Sequence, residues 1–246
     1  MSTYVLVGGA WIGGWAWQNV ARQLRANGHD VYPATLTGLG ERAHLARPEV
    51  DLETHIADVV NLIAYEDLTD VVLVGHSYAG VVVTGVADRV GDRLAQLVFL
   101  DSAPAEDGEA YLDYSPLDGQ QQLRRQVDEL GDGWRLPFPS IEDLGMQASL
   151  DGVGDDARDL MRAKAVAQPF QTYAQPLRLT HSVAGDYARV IIACEDMRAL
   201  IATGIPRFQV FVPPAWQRHD LATGHWPMLS MPSELAALLH RLGGDR

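Results

Sequence analysis

Hydrophobic positions along the chain follow two alternating periods. Short continuous apolar runs, as at Tyr4–Val7 and Val71–Val74, predict buried strands, and apolar residues spaced i, i+3, i+4, i+7 between them predict amphipathic helices. Strands are predicted at 4–7, 30–33, 71–74, 97–100, 189–194 and 208–212. Strand–helix alternation with apolar strands is typical of an α/β protein, in which a mostly parallel sheet of about six strands has helices on both faces.

The alternation stops between about residues 105 and 187. This stretch is rich in Pro, Gly, Asp and Gln and carries only short helical patterns. We therefore predict a helical cap at 105–187, inserted into a core that comprises residues 1–104 and 188–246. In parallel sheets, ligands bind beyond the carboxyl ends of the strands, which is where such a cap would lie.

Composition narrows the class of protein. The 246 residues carry a net charge of −13, which argues against binding to nucleic acid or to anionic membranes. The single cysteine, Cys194, allows no internal disulfide, and no apolar run approaches the ~20 residues of a membrane span. The N-terminus lacks the features of a signal peptide, so the expectation is a soluble, cytoplasmic protein, with a homodimer left open.

The segment Gly75-His76-Ser77-Tyr78-Ala79-Gly80 joins a predicted strand to a predicted helix. A serine between small residues at such a junction is the sequence form of a nucleophile elbow. The pattern G-x-S-x-G is not strictly matched, because Ala79 occupies its fifth position. The alternative is that Ser77 only caps the helix.

A nucleophilic serine requires a histidine base and a carboxylate that orients the imidazole. In chain order Ser77 is followed by Asp196, after a later strand, and by His225, after the last predicted strand. These three residues are the predicted catalytic set. Glu195 is the second candidate for the acid and Asp101 a more distant one, while His219 is the competitor for the base.

The oxyanion of an acyl-transfer intermediate requires backbone N–H donors. Tyr78 N–H, directly after the nucleophile, and Ala10 N–H, in the glycine-rich loop 8–14, are the predicted pair. A dinucleotide-binding loop is the rival interpretation, but the pattern G-x-G-x-x-G is absent. No H-x-x-H or C-x-x-C motif suggests a metal, and no cofactor is predicted.

Several segments together resemble the α/β-hydrolase group that contains plant methylesterases, plant hydroxynitrile lyases and bacterial esterases. They are residues 7–15, 37–42, 74–80, 175–177 and 194–196, with Gly224-His225. The resemblance spans nearly the whole chain and implies the α/β-hydrolase fold. It also implies the triad Ser77, Asp196 and His225, with oxyanion amides from Ala10 and Tyr78.

Two departures from this group concern the first loop and the elbow. The relatives' first loop usually begins His-Gly, where this chain has Gly8-Gly9, and Ala79 stands where they usually carry glycine. The lyases carry a threonine at the position of Gly9 and a lysine at that of Trp226, so the resemblance favours an esterase.

The predicted function is hydrolysis of a small carboxylic ester through an acyl-enzyme. Trp11, Trp134 and Trp226 are predicted to line the substrate pocket, with packing at the rim of the sheet as the open alternative. Lyase or other carbon–carbon or carbon–nitrogen chemistry on the same triad, a binding protein without turnover and a nucleotide-binding oxidoreductase remain as alternatives.

Overall fold

The computed structural model describes residues 1–180, 185–209, 211 and 216–244. Its main sheet has six parallel strands in the order β2-β1-β3-β4-β7-β8. These are β1 (Thr3–Val7), β2 (Asp30–Ala34), β3 (Val71–His76), β4 (Leu94–Leu100), β7 (Ala188–Ala193) and β8 (Gln217–Asp220). The short strands β5 (Arg135–Leu136) and β6 (Gln168–Pro169) form a separate antiparallel pair. The predicted α/β architecture is confirmed.

The helices lie between the strands along the chain and after the last strand. They are α1 (Gln18–Ala26), α2 (Leu52–Tyr65), α3 (Ala79–Val90), α4 (Leu117–Leu130), α5 (Ile141–Gln147), α6 (Asp155–Lys164), α7 (Gln171–Ala174), α8 (Glu195–Ala202), α9 (Pro206–Gln209), α10 (Pro227–Ser230) and α11 (Pro232–Gly244). Short 3₁₀ helices occur at Gly14–Trp17, Gly40–Leu45, Gly91–Arg93 and Tyr111–Tyr114. None of the helices in the described ranges is long and apolar enough to cross a bilayer.

Successive side chains of a strand point to opposite sides of the sheet. Because the inner strands are largely apolar along their whole length, both faces of the sheet are apolar. Val5 and Leu73 pack with the core that α2 and α3 cover, whereas Leu6 and Val72 pack with the core that α1 and α11 cover. Helix α2 is capped by Asp51, whose side chain accepts from Thr54 N–H in a capping box.

The last strand differs from the prediction. A strand at 208–212 is wrong at its start, because Phe208 and Gln209 belong to α9, while Val210 and Val212 lie outside the described residues. The edge strand is β8, whose sequence Gln-Arg-His-Asp lacks apolar residues. Within the described part of the chain β8 pairs with β7 alone, and its four residues are exposed or half-buried, so the apolar signal used for strand prediction does not apply to it.

The carboxyl ends of the parallel strands meet at one edge of the sheet. Ser77 follows β3, Asp101 follows β4, Asp196 lies just after β7, and the loop after β8 leads to His225. Residues 105–187, called the cap segment below, carry α4 to α7 and the β5–β6 pair. The domain boundaries at 104/105 and 187/188 stay predictions.

Candidate active site

Ser77 lies in a strained turn between β3 and α3. Its φ is +53°, a left-handed conformation that costs a non-glycine residue ~1–3 kcal/mol and is concentrated at functional sites. A Cβ on Gly80 would lie 2.6 Å from the carbonyl oxygen of Ala103, so this position requires glycine. The close approach of backbone in this elbow is thus at residue 80, one position after Ala79.

His225 is held in place by hydrogen bonds on three sides. Its Nδ1 lies 2.6 Å from Oδ2 of Asp101, and its backbone N–H donates to the Ser149 carbonyl at 2.8 Å. Nε2 of His76 donates to the His225 carbonyl at 2.7 Å. With Nδ1 engaged by a carboxylate, Nε2 of His225 is the nitrogen left to accept a proton.

The carboxylate of Asp101 is buried and accepts further hydrogen bonds from the backbone. The Asp101 side chain is 1% exposed, and the φ of this residue is +44°, again left-handed. Oδ1 accepts the N–H groups of Cys194 and Met197, at 2.9 and 3.3 Å, at the start of α8. These two amide hydrogen bonds fix the orientation of the carboxylate, whose other oxygen contacts His225.

The two acids favoured from the sequence are bonded to the cap segment instead. Oδ2 of Asp196 accepts the N–H of Ser149 at 2.8 Å, and Oε2 of Glu195 accepts the Ser149 hydroxyl at 2.7 Å. The described residues contain no hydrogen bond from either carboxylate to His225. The carboxylate that contacts the imidazole is therefore Asp101, the most distant of the three sequence candidates.

The Ser77 hydroxyl and His225 line the same cavity, although no hydrogen bond joins them within the described residues. Tyr111, from the cap segment, lines the same cavity as Ser77, and burial raises the pKa of the Tyr111 hydroxyl. Catalytic hydrogen bonds are often long in the absence of substrate, so this geometry is compatible with a nucleophile and its base.

Of the two predicted oxyanion donors, Tyr78 is completely buried and is not among the lining residues of the cavity. Ala10 lines the cavity, and neither its N–H nor that of Tyr78 donates to an acceptor among the described residues. The side chain of Tyr78 has a separate contact, because its hydroxyl lies 2.9 Å from Nδ1 of His55. Nε2 of His55 donates to the Thr37 carbonyl, and burial lowers the pKa of His55 to about 4, which keeps it neutral.

The cavity has a volume of about 740 Å³. Aromatic side chains form much of its wall, namely those of Trp11, Tyr111, Tyr114, Tyr173, Phe208 and Trp226. Asp101, Asp113 and Asp196 also line it, whereas no Lys or Arg among the described residues does.

Trp134, predicted to line the pocket, does not. Its carbonyl accepts the N–H of Phe170, and the guanidinium of Arg135 lies over its ring at 5.3 Å from the centroid. The Trp134 side chain thus contributes to packing within the cap segment rather than to the cavity wall.

The remaining sequence candidates lie elsewhere. His219, the competitor for the base, is part of β8 and is not among the lining residues of the cavity. Cys194 is buried and unpaired, as expected, and burial raises the pKa of its thiol.

One cluster in the described part of the chain has potential metal-ligand geometry. Ligand atoms of Asp101, Asp196 and His225 lie within 4.8 Å of one another. Because Asp101 and His225 bond to each other and Asp196 accepts from Ser149, we interpret the cluster as a hydrogen-bonded acid–base site.

Sequence reasoning missed two features of this site. Tyr111 packs edge-on against the ring of Tyr78 in the elbow, and Gln168 accepts from the N–H of Trp11 in the glycine-rich loop 8–14. Both belong to the cap segment, and neither is part of a recognisable motif. For the acid, the one usable signal is the position of Asp101 directly after an apolar strand.

Known proteins resemble this chain over nearly its whole length. A family model described as "Alpha/beta hydrolase family" matches residues 4–238. A carbendazim-hydrolysing esterase from Nocardioides sp. (strain SG-4G) is 37% identical over 252 residues, covering 99% of this chain and 100% of the relative. Methylesterase 10 of Arabidopsis thaliana is 25% identical over 259 residues, covering 97% and 90% of the two chains.

Among solved structures, an extracellular α/β-hydrolase from a Paenibacillus species superimposes with a TM-score of 0.81. It is described as sharing structural and functional homology with tobacco salicylic acid binding protein 2. The two chains are 22% identical and each is covered completely, a likeness that concerns the fold.

Proposed function

The chain belongs to the α/β-hydrolase family and is an enzyme of the esterase type, and from this premise we propose that it hydrolyses a small carboxylic ester through an acyl-enzyme on Ser77. The observation that carries the proposal is the left-handed Ser77 at the end of β3, in one cavity with His225. The imidazole of His225 is in turn bonded to the buried Asp101.

Acylation begins when Oγ of Ser77 attacks the ester carbonyl and its proton passes to Nε2 of His225. The negative charge that develops on the carbonyl oxygen is bound by the N–H groups of Ala10 and Tyr78. As the carbon–oxygen bond to the alcohol breaks, His225 returns the proton to the departing alkoxide, which leaves the acyl group on Ser77.

Deacylation uses the same groups with water as the nucleophile. His225 takes a proton from water as it attacks the acyl carbonyl, and the same two amides bind the second oxyanion. The proton then passes to Oγ of Ser77, which releases the carboxylic acid and restores the free serine.

We assign the orienting role to Asp101 in place of Asp196. The 2.6 Å contact with Nδ1 of His225, together with two amide hydrogen bonds on the other carboxylate oxygen, supports this assignment. A carboxylate there holds the imidazole in the tautomer with Nε2 unprotonated and stabilises the imidazolium. Asp196, bonded to Ser149, then fastens the cap segment to the start of α8.

The substrate we propose is an uncharged ester with an aromatic or apolar group. Aromatic side chains supply much of the cavity wall, and the charged side chains among its described lining residues are carboxylates. Such a wall favours planar apolar groups and repels anions.

Two positions favour hydrolysis over the lyase chemistry of related proteins. Trp226 follows His225 where the lyases carry lysine, and the single lysine of the chain, Lys164, lies over the ring of Trp15 instead. A Cβ on Gly9 would lie 2.9 Å from both Nδ1 of His76 and Cβ of Ser77, so the lyases' threonine does not fit at this position without rearrangement.

The test is turnover of a p-nitrophenyl ester by wild type and Ser77→Ala, with labelling by a fluorophosphonate probe in parallel. We expect Ser77→Ala to lose turnover by on the order of 10³-fold or more and to lose labelling. Ser233→Ala, an exposed serine at the start of α11, is the control that keeps both. Wild-type turnover by Ser77→Ala would refute the proposal, and a wild-type protein that neither labels nor turns over esters would favour a binding function.

A further inference from the structure

The glycine-rich loop 8–14, which carries the predicted oxyanion donor Ala10, is hydrogen-bonded to the cap segment through Trp11. Trp11 directly follows the predicted donor Ala10 and has a left-handed φ of +63°. Its N–H donates to Oε1 of Gln168 at 3.0 Å, and its carbonyl accepts from the N–H of Val166 at 3.0 Å. The indole N–H donates to the carbonyl of Leu136 at 3.2 Å.

These contacts bear on the departure at Gly8. A loop without the usual histidine requires other support, and all three of these hydrogen-bond partners of Trp11 belong to the cap segment. Of the three partners, only Gln168 contributes a side chain, so a substitution there can remove its hydrogen bond to Trp11 without altering the backbone.

Gln168 is completely buried, and both ends of its amide are bonded. Nε2 donates to Oγ1 of Thr172 at 2.7 Å, and that hydroxyl donates to the Pro169 carbonyl at 2.6 Å. Tyr173, which directly follows Thr172 in the chain, stacks on the ring of Tyr78, with the ring planes 9° apart and the ring centroids 5.4 Å apart. Gln168 thus connects the loop of one oxyanion donor to the short helix that packs against the other.

We propose that Gln168 is a positioning residue, which fixes the turn at Trp11 and thereby aligns the Ala10 amide with the developing oxyanion. This inference rests on the proposed function. It makes the cap segment part of the catalytic geometry, because Gln168 acts on the reaction through the backbone of Trp11 without touching the substrate. Its loss affects the transition state, in which the oxyanion forms, more than the bound substrate.

The test compares Gln168→Met with Gln175→Met. Gln175 is a matched control, because its amide also makes two hydrogen bonds from the cap segment: Oε1 accepts the N–H of Glu53, and Nε2 donates to Asp51. These bonds reach α2, outside the cavity. We expect Gln168→Met to lower kcat by about 10- to 100-fold with KM little changed, whereas Gln175→Met keeps the wild-type kcat.

A second measurement separates positioning from stability. A trifluoromethyl ketone forms a tetrahedral adduct on a catalytic serine, so its inhibition constant for Gln168→Met should rise by the same factor by which kcat/KM falls. A wild-type kcat and inhibition constant in folded Gln168→Met would overturn the inference. If esters are not turned over even by wild type, the proposed function fails instead, and the two failures are distinguishable.

Gln168→Glu provides a variant that keeps the shape. When protonated, a glutamic acid can accept from Trp11 N–H and donate to Thr172, and burial favours the protonated form. We expect the kcat of Gln168→Glu, relative to wild type at the same pH, to rise as the pH falls. A ratio independent of pH in a variant with lowered kcat would count against positioning by this hydrogen bond.

Discussion

Oδ2 of Asp101 and Nδ1 of His225 lie 2.6 Å apart, although 124 residues separate them in the chain. Asp101 directly follows β4, which lies between the strand of the nucleophile and β7. An imidazole above this part of the sheet can therefore be reached by a carboxylate from either β4 or β7. The hydrogen bond identifies Asp101 as the one in contact.

Replacing Asp101 should impair catalysis far more than replacing Asp196. An asparagine at 101 favours the wrong imidazole tautomer, so kcat of Asp101→Asn should fall by on the order of 10²–10⁴-fold. Asp196→Asn should stay within about threefold of wild type, because its carboxylate accepts from Ser149. Steady-state kinetics on one p-nitrophenyl ester measures both, and a larger loss in Asp196→Asn would return the acid to position 196.

The choice between Asp196 and Asp101 as the partner of His225 shows how much of the site the sequence can predict. The order Ser77, Asp196, His225 satisfies the usual arrangement, and each residue follows a strand at the same edge of the sheet. Asp101 meets the same condition, so strand ends alone cannot distinguish the two. The choice depends on which carboxylate the amides of Cys194 and Met197 hold towards His225, a property of the folded loop at the start of α8.

The fold is more predictable than the site, with one informative exception. Buried strands such as β1 and β3 are largely apolar, and this pattern predicts them directly. Strand β8 lies at the edge and is polar, so the apolar pattern favours 208–212 in its place. Contacts of Gln168 and Tyr111 depend on how the cap segment packs, which no local pattern specifies.

Substitution at Gly9 should inactivate the enzyme, and substitution at Gly8 should not. A methyl group at 9 would lie 2.9 Å from His76 and Ser77, which leaves no room without moving the elbow. At 8 the nearest atom is Cγ1 of Ile12, at 3.2 Å, in a side chain that can shift.

We therefore expect Gly9→Ala to lose on the order of 10²-fold in kcat/KM and Gly8→Ala less than about fivefold. Circular dichroism of both variants establishes that they are folded. Equal activity of the two would mean that the elbow tolerates displacement towards His76.

Stability should fall as the pH decreases from about 6.5 to about 4. Burial lowers the pKa of His55 to about 4 from its ordinary value of 6.5, and it lowers the pKa of His76 well below the same value. In this range the unfolded chain binds protons at these positions and the native protein does not. The free energy of unfolding therefore decreases with falling pH, by up to ~1.4 kcal/mol per pH unit for each such group.

His55→Gln isolates the contribution of His55. Its amide can still donate to the Thr37 carbonyl and accept from Tyr78, but it does not titrate. Urea unfolding at several pH values should give His55→Gln a shallower dependence on pH than wild type. Parallel curves for the two proteins would mean that His55 is not the group responsible.

The charge of the substrate should govern its turnover. Methyl benzoates with a neutral ethyl, an anionic carboxymethyl or a cationic trimethylammoniomethyl group in the para position differ mainly in charge, because a methylene insulates the ring. Asp101, Asp113 and Asp196 line the cavity, and none of its described lining residues is Lys or Arg. We expect kcat/KM for the anion to be about tenfold below that of the neutral ester, equivalent to ~1.4 kcal/mol of repulsion, with the cation at least equal to the neutral ester. Added salt should narrow the difference, since it screens the carboxylates nearest the solvent. An anionic ester hydrolysed as fast as the neutral one at low salt would mean that its charge is paired inside the cavity, contrary to the proposed substrate class.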